Sequence, residues 1–245
     1  MEIVIRLLPD ADADGASNMA ADEVMVRSAA RGVASLRFYG WTTATTSLGY
    51  FQPAAVRLTN AHLQALPWVR RPSGGATLVH HHELTYALAL SHGSPWHSHT
   101  SWMPRMHRII TLALTELGLG DQIETVAEHP VKHGDVLCFQ QHTTGDLLCQ
   151  GKKVVGSAQR KYHQALLQHG SILLAQSEYT PVLSGIRDLT GVDLSVTATR
   201  EAVWRAFARE TGWHGEQKDW TEEERGMLAQ LVNEKYSRSS WNEKR

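Results

Sequence analysis

Two cysteines and two adjacent lysines fall within one short stretch, DVLCFQQHTTGDLLCQGKKVVGSAQ (Asp135–Gln159). A cysteine becomes a nucleophile when a nearby cation stabilises its thiolate, and Lys152 or Lys153 can supply that cation. A thiolate also exchanges readily with an acyl thioester. The plainer alternative is that Cys138 and Cys149 are small buried hydrophobes, the commonest role of free cysteine. A second stretch, RRPSGGATLVHHHELTY (Arg70–Tyr86), pairs arginines with a Ser73-Gly74-Gly75 turn. Paired glycines let a ligand approach the main chain closely. Exposed backbone N–H groups there can bind an anion or a carbonyl oxygen, and Arg70 or Arg71 can add a bidentate donor. A hairpin turn with solvated arginines is the competing reading. No G-K-[ST] follows the glycines and there is no GxGxxG, so neither nucleotide-binding motif is present. A third stretch, ALLQHGSILL (Ala165–Leu174), is an apolar strand broken by His169-Gly170, which suggests close approach of a ligand to the backbone.

The histidines His80, His81 and His82 resemble a metal site only at first sight. Consecutive strand residues alternate between faces, so at most two of the three share a side. No acidic or cysteine partner stands at a familiar zinc spacing. No metal is expected here, nor at His97–His99.

These residues need elements to hold them. The segments IVIRLL and SLRFYG are short, apolar and bounded by turn residues, so they predict strands. Between them a helix is predicted from an N-cap at Asn18 to a stop at Gly32. LPWVRR and GATLVH predict strands flanking the Ser73-Gly74-Gly75 turn. Met103, Met106, Ile110, Leu114 and Leu117 predict an amphipathic helix closed by Gly118. DLLCQGKKVVG predicts a hairpin turning near Gln150-Gly151, followed by a Gly156-Ser157-Ala158 turn and a strand over HGSILL. Two helices are expected over about residues 197–238, the second opening with Thr221 and Glu224 at capping-box spacing. Strands and helices mix without strict βαβ alternation, which predicts an α+β (mixed α/β) fold with a mixed sheet and flanking helices.

The chain has 245 residues, 42% of them hydrophobic and 20% charged, with a net charge of −1. No global field favours nucleic acid or an anionic membrane as partner. Two cysteines do not make a disulfide framework, so a reducing compartment is the simplest reading. The apolar run at the start is too short for a signal peptide, and no stretch approaches the roughly 18 apolar residues of a membrane span. A cytoplasmic protein is expected. Without repeat or linker, residues 1–245 are read as a single domain.

Taken together, RRPSGGATLVHHHELTY, GKKVVGSAQ and LLQHGSILL, with SLGYFQ (Ser47–Gln52) and NMAADE (Asn18–Glu23), resemble the lipoate–protein ligase and octanoyltransferase family, related in fold to biotin protein ligases. The resemblance covers roughly residues 1–190. It implies a mixed sheet with flanking helices and a tunnel for an eight-carbon acyl chain. Arg71, Ser73, Gly74, Gly75 and His80 match the loop around the acyl carboxyl end or an adenylate, and Gly156, Ser157, His169 and Gly170 complete the implied substrate site. Lys153 matches the family's active-site lysine. HHHELTYAL and LCFQQ are similar to the cysteine-dependent octanoyltransferases of the LipM type, which places the nucleophile at Cys138 rather than Cys149. Gly74-Gly75-Ala76 stands where ligases often show a third glycine, and QQHTTGD departs from those transferases. The activity so implied is transfer of an octanoyl group from acyl carrier protein, through a cysteine thioester, to a lysine of a lipoyl domain such as glycine cleavage H protein or an E2 subunit. That reaction uses no cofactor. The alternatives are a lipoate ligase using ATP and Mg²⁺, and a non-catalytic lipoyl-binding module. Arg160–His163 and Arg105–Arg108 are candidate docking residues for an acidic partner.

Overall fold

A computed structural model describes residues 3–93, 95–127 and 137–245. Asp135 and Val136, which open the cysteine–lysine stretch, lie outside them. In chain order the strands are β1 (Val4–Leu7), β2 (Ser35–Tyr39), β3 (Thr45–Leu48), β4 (Trp68–Arg70), β5 (Leu78–His80), β6 (Glu83–Ser91), β7 (Ile123–Thr125), β8 (Leu147–Cys149), β9 (Lys152–Tyr162), β10 (Ala165–Leu173) and β11 (His214–Gln217). The α-helices are α1 (Gly15–Ala29), α2 (Ala61–Ala65), α3 (Trp102–Leu114), α4 (Ile186–Thr190), α5 (Val196–Thr211), α6 (Glu222–Leu231) and α7 (Ser239–Asn242). Eight strands form one mixed sheet in the order β11-β1-β2-β6-β10-β9-β8-β7, and a small sheet runs β4-β3-β5. This is the mixed α/β architecture with flanking helices that the sequence predicts.

The central strand β6 shows why the large sheet is covered on both faces. Leu84, Tyr86, Leu88 and Leu90 join the core beneath α3 and α5. Ala87 and Ala89 point the other way, where their small size admits α1 and its neighbour α6. A strand buried on both sides reads as a nearly continuous apolar run, as ELTYALALS does.

Several details depart from the sequence reading. The N-cap of α1 is Asp14, which accepts the Ser17 N–H at 2.7 Å. Asn18 instead lies within the helix, donating to the carbonyls of Ala13 and Gly40 at 3.2 and 3.0 Å. The expected strands do flank Ser73-Gly74-Gly75, but the competing hairpin reading fails: β3 lies between them, parallel to β4 and antiparallel to β5. Gly156 and Ser157 occupy no turn either, since they sit inside β9, opposite Ser171 and Gly170 of β10. The Gln150-Gly151 hairpin is present, with both residues at positive φ (49° and 73°), the geometry of a tight type I′ turn.

The C-terminal helices pack on opposite faces of the sheet, and β11 adds a parallel edge strand beside β1. Thr221 and Glu224 form the expected capping box. Glu224 also accepts two hydrogen bonds from Arg6 of β1, both at 2.8 Å, and one from Ser28 at 2.6 Å. Burial raises the Glu224 carboxyl, but hydrogen bonds from Arg6, Ser28 and the Thr221 N–H, with the Arg6 charge, outweigh it and hold the pKa at about 2. A folded-state pKa below its ordinary value contributes stability at higher pH and loses it as pH falls toward that value. We therefore expect stability to drop between about pH 4.5 and 2. Glu224→Gln should flatten that drop, as read from denaturant midpoints across the range.

Chain residues far apart fasten the glycine-bearing loop. Arg70, fully buried, donates its backbone N–H to Asn242 Oδ1 at 2.8 Å and its Nε to the Asn242 carbonyl at 2.9 Å. Trp241 Nε1 donates to the Arg70 carbonyl at 2.8 Å. The Arg70 guanidinium is thus structural, also holding the Gly49 and Gln52 carbonyls, and it is not a ligand donor.

Candidate active site

Lys153 is buried on β9, one residue past its exposed neighbour Lys152 at the start of the strand. Its Nζ lies 4.0 Å from Cys138 Sγ. It also donates to the Gln141 carbonyl at 3.2 Å. Its strongest partner is one the sequence reading did not single out: Asp146 Oδ2, at 2.7 Å, with both side chains 3% exposed. Asp146 in turn accepts the N–H and hydroxyl of Thr143, at 2.7 and 2.9 Å, closing a turn that aims its carboxylate at the ammonium. Cys138 opens a single 3-10 turn (Cys138–Gln140), whose start is pinned by its own N–H on the Thr77 carbonyl at 2.7 Å. Cys149 is fully buried in the core of β8, and burial pushes its thiol up.

Arg71 shapes the glycine loop from within. It donates to the carbonyls of Ser47, Gly74 and Ala76 and to the Ser47 hydroxyl. Burial lowers its pKa, an effect opposed by attraction to Cys138. Gly75 has φ +94°, and Gly49 packs so closely on it that an added Cβ would collide with the Gly75 carbonyl. His80 is held by Glu83 Oε1 (2.6 Å), Ser47 Oγ (2.8 Å) and a stacked Trp41 ring. His81 and His82 stack on each other away from it. Among the described residues no cluster of three metal-ligating side chains occurs.

These elements border a largely apolar cavity that is partly open to solvent. Met19, Tyr39, Leu78, Phe139 and Ala158 give it its apolar lining, and Cys138, Arg71, Gly75, His80, Gly156, Ser157, His169 and Gly170 also border it. Of the residues expected at the site, Ser73 and Gly74 border a shallower groove alongside. Two hydrogen-bonded lines run from this region into the protein. In one, the His169 imidazole joins Ser73 Oγ (2.5 Å from Nε2) to Asp22 Oδ2 (2.7 Å from Nδ1). In the other, Tyr86 and Ser157 lie 2.6 Å apart, Ser157 meets His107 Nε2 at 2.6 Å, and His107 Nδ1 donates to the Gly145 carbonyl at 2.5 Å. Burial pushes Tyr86 up to about 12 and pushes His107 down, so both are neutral. Asp22, His107 and Asp146 escaped the sequence reading. The one local signal was the Thr143-x-x-Asp146 spacing, typical of a side-chain-closed turn.

Gly156 makes room for the lysine, since a Cβ there would lie 2.5 Å from Lys153 Cε. The obstacle is the flexible end of a side chain, so Gly156→Ala should fold and displace Lys153. Misplacement on this scale costs about 100-fold in rate, which single-turnover transfer assays would read.

The expected docking residues are partly committed elsewhere. Arg105 lies over Trp102, Arg108 pairs with Glu210, and Arg160 donates to the Pro72 carbonyl. Lys161 is exposed beside the glycine loop.

A mixed sheet carrying a glycine loop and a cysteine turn at an apolar cavity, with an inward lysine in the adjoining groove beside the cysteine, is the arrangement expected of a domain of the lipoyl ligase and transferase class. The lipoyl protein ligase A/B catalytic domain model matches residues 14–188, and the chain belongs to that family. Octanoyltransferase LipM of Geobacillus kaustophilus is 30% identical over 94% of both chains. The LipM octanoyltransferase of Bacillus subtilis is 29% identical over 98% of both. Among solved structures, a T. acidophilum protein with bound lipoic acid superposes with TM-score 0.81 at 24% identity, covering 99% of this chain and 100% of that one. A lipoate-protein ligase A bound with ATP gives 0.80, also at 24% identity, covering 99% of each.

Proposed function

We propose that this chain is an octanoyltransferase that draws an octanoyl group from acyl carrier protein onto Cys138 and passes it to a lipoyl-domain lysine. The observation that carries the proposal is Cys138 Sγ, 4.0 Å from the Lys153 ammonium at the edge of the apolar cavity. Similarity to the LipM octanoyltransferases supports the same reading. The acyl chain enters the cavity, gaining roughly 0.8 kcal/mol per buried methylene. The Cys138 sulfur attacks the thioester carbonyl, and a new C–S bond forms as the carrier's C–S bond breaks and its thiol leaves. Lys153 and Arg71 face the negative charge on sulfur, while backbone N–H groups of the Gly74-Gly75 loop receive the oxyanion. An acceptor lysine then attacks the acyl-enzyme, forming the amide and releasing Cys138. Neither step consumes ATP or requires a metal. The acceptor would be glycine cleavage H protein or a dehydrogenase E2 subunit, and the setting cytoplasmic.

Intact mass after mixing the protein with octanoyl–acyl carrier protein, without nucleotide, tests this. An octanoyl adduct mapped to the Cys138 peptide is the expected result. Absence of the adduct, with acylation of a lipoyl domain only when lipoate or octanoate and Mg-ATP are supplied, would make the protein a ligase.

A further inference from the structure

We propose that Ser73, His169 and Asp22 form a proton relay that deprotonates the incoming acceptor lysine, an inference that rests on the octanoyltransferase reading above. The three side chains come from the loop after β4, from β10 and from α1, and all are buried (2%, 6% and 0% exposed). Asp22 Oδ2 also accepts the Tyr39 hydroxyl at 3.1 Å. Buried Arg37, stacked 4.2 Å from the Tyr39 ring, adds an attractive positive charge near Asp22. Facing a carboxylate, Nδ1 of a neutral His169 carries the ring proton. Nε2 then presents a lone pair, and the Ser73 hydroxyl donates to it at 2.5 Å. Every proton in the line is thereby oriented toward a base backed by a carboxylate, the arrangement that activates a hydroxyl in serine hydrolases.

The alternatives nearby are unsuited to the task. Lys153 is committed as an ammonium to Asp146. His107 ends its line on a carbonyl, which takes no proton, and burial disfavours its charged form. His169 borders the same cavity as Cys138, and Ser73 borders the groove alongside it.

A lysine ammonium must lose two protons to become an amide nitrogen. The first passes to Ser73 Oγ as the Ser73 proton moves to His169 Nε2, giving an imidazolium paired with Asp22. The free amine attacks the acyl-Cys138 carbonyl. As the C–S bond breaks, the second proton leaves with the sulfur as the Cys138 thiol. His169 later returns its proton to water.

The test loads wild type and variants with octanoyl–acyl carrier protein, removes the donor, and follows decay of the adduct by intact mass. Decay is measured with saturating lipoyl domain and, separately, with hydroxylamine, which is uncharged at neutral pH and needs no base. In His169→Gln, which keeps an acceptor for Ser73, the lipoyl-domain rate relative to the hydroxylamine rate should fall about 100-fold. Ser73→Ala should show the same loss, and Asp22→Asn a loss in the same direction. An unchanged ratio, with both nucleophiles slowed equally or neither slowed, would overturn the relay and leave these residues structural. A folded His169→Gln protein that takes no adduct would overturn it too, since His169 would then act before the amine arrives. If wild type forms no adduct, the octanoyltransferase reading fails first and the relay with it. An adduct with an unchanged ratio removes the relay alone.

Discussion

Cys138→Ala should lower octanoyl transfer by at least about 10⁴-fold, the scale on which loss of a covalent nucleophile acts, while the fold survives nearly unchanged. Cys138 is only partly buried. Its turn is anchored by a backbone N–H on Thr77 and by the buried Phe139 ring, neither of which involves the sulfur. The stability cost should stay within about 1 kcal/mol. Cys149→Ala should show the opposite profile. Its side chain is fully buried beside Leu147 and Val154, so a small cavity and a stability loss of about 1 kcal/mol should accompany retained transfer. Single-turnover transfer and denaturant unfolding on both variants separate the roles. Full activity in Cys138→Ala would refute the covalent route.

Lys153→Met should cost both activity and stability. The Lys153–Asp146 pair is buried on both sides, and removing one partner leaves a buried charge uncompensated, typically at ~3–5 kcal/mol. Asp146 keeps its two Thr143 hydrogen bonds, so the lower end of that range is expected. Transfer should fall by about 10²–10³-fold, because the ammonium facing the sulfur is gone. Adding Asp146→Leu to Lys153→Met removes the stranded carboxylate and should restore much of the stability, since apolar replacement of a buried pair is often neutral. Activity should not return. A double variant recovering transfer along with stability would show that Lys153 only holds the fold.

What the sequence revealed and concealed follows from how far each signal travels along the chain. The apolar spacing from Met103 to Leu117 is local, and it predicts α3 where it occurs. Strand β6 was not singled out, because a continuous buried run such as ELTYALALS shows none of the alternation that marks a half-exposed strand. The choice of Lys153 over Lys152 rested on family resemblance, and the fold agrees with it, since Lys153 is buried and Lys152 is exposed. The residues that complete the site are joined across the fold. His169 and Asp22 are 147 positions apart, and Ser73 and His169 are 96 apart, so no local pattern announces them. Strand β11 was hidden for another reason. His214–Gln217 lies at a sheet edge with largely exposed side chains, and an edge strand needs backbone pairing but no apolar face. The supposed Gly156-Ser157-Ala158 turn misled because small residues also mark places where a strand must admit another side chain, here the lysine.

The fastening of Arg70 by Trp241 and Asn242 bears on how the protein is made. During synthesis the glycine loop leaves the ribosome long before the residues that clamp it, which follow about 170 positions later. Domains fold as the chain emerges, N-terminal parts first, so the sheet around β6, β9 and β10 can assemble while that loop still lacks its anchor. In a nascent chain stopped before Trp241, Arg70 would therefore lack the Trp241 and Asn242 partners that hold the start of the glycine loop in the finished fold.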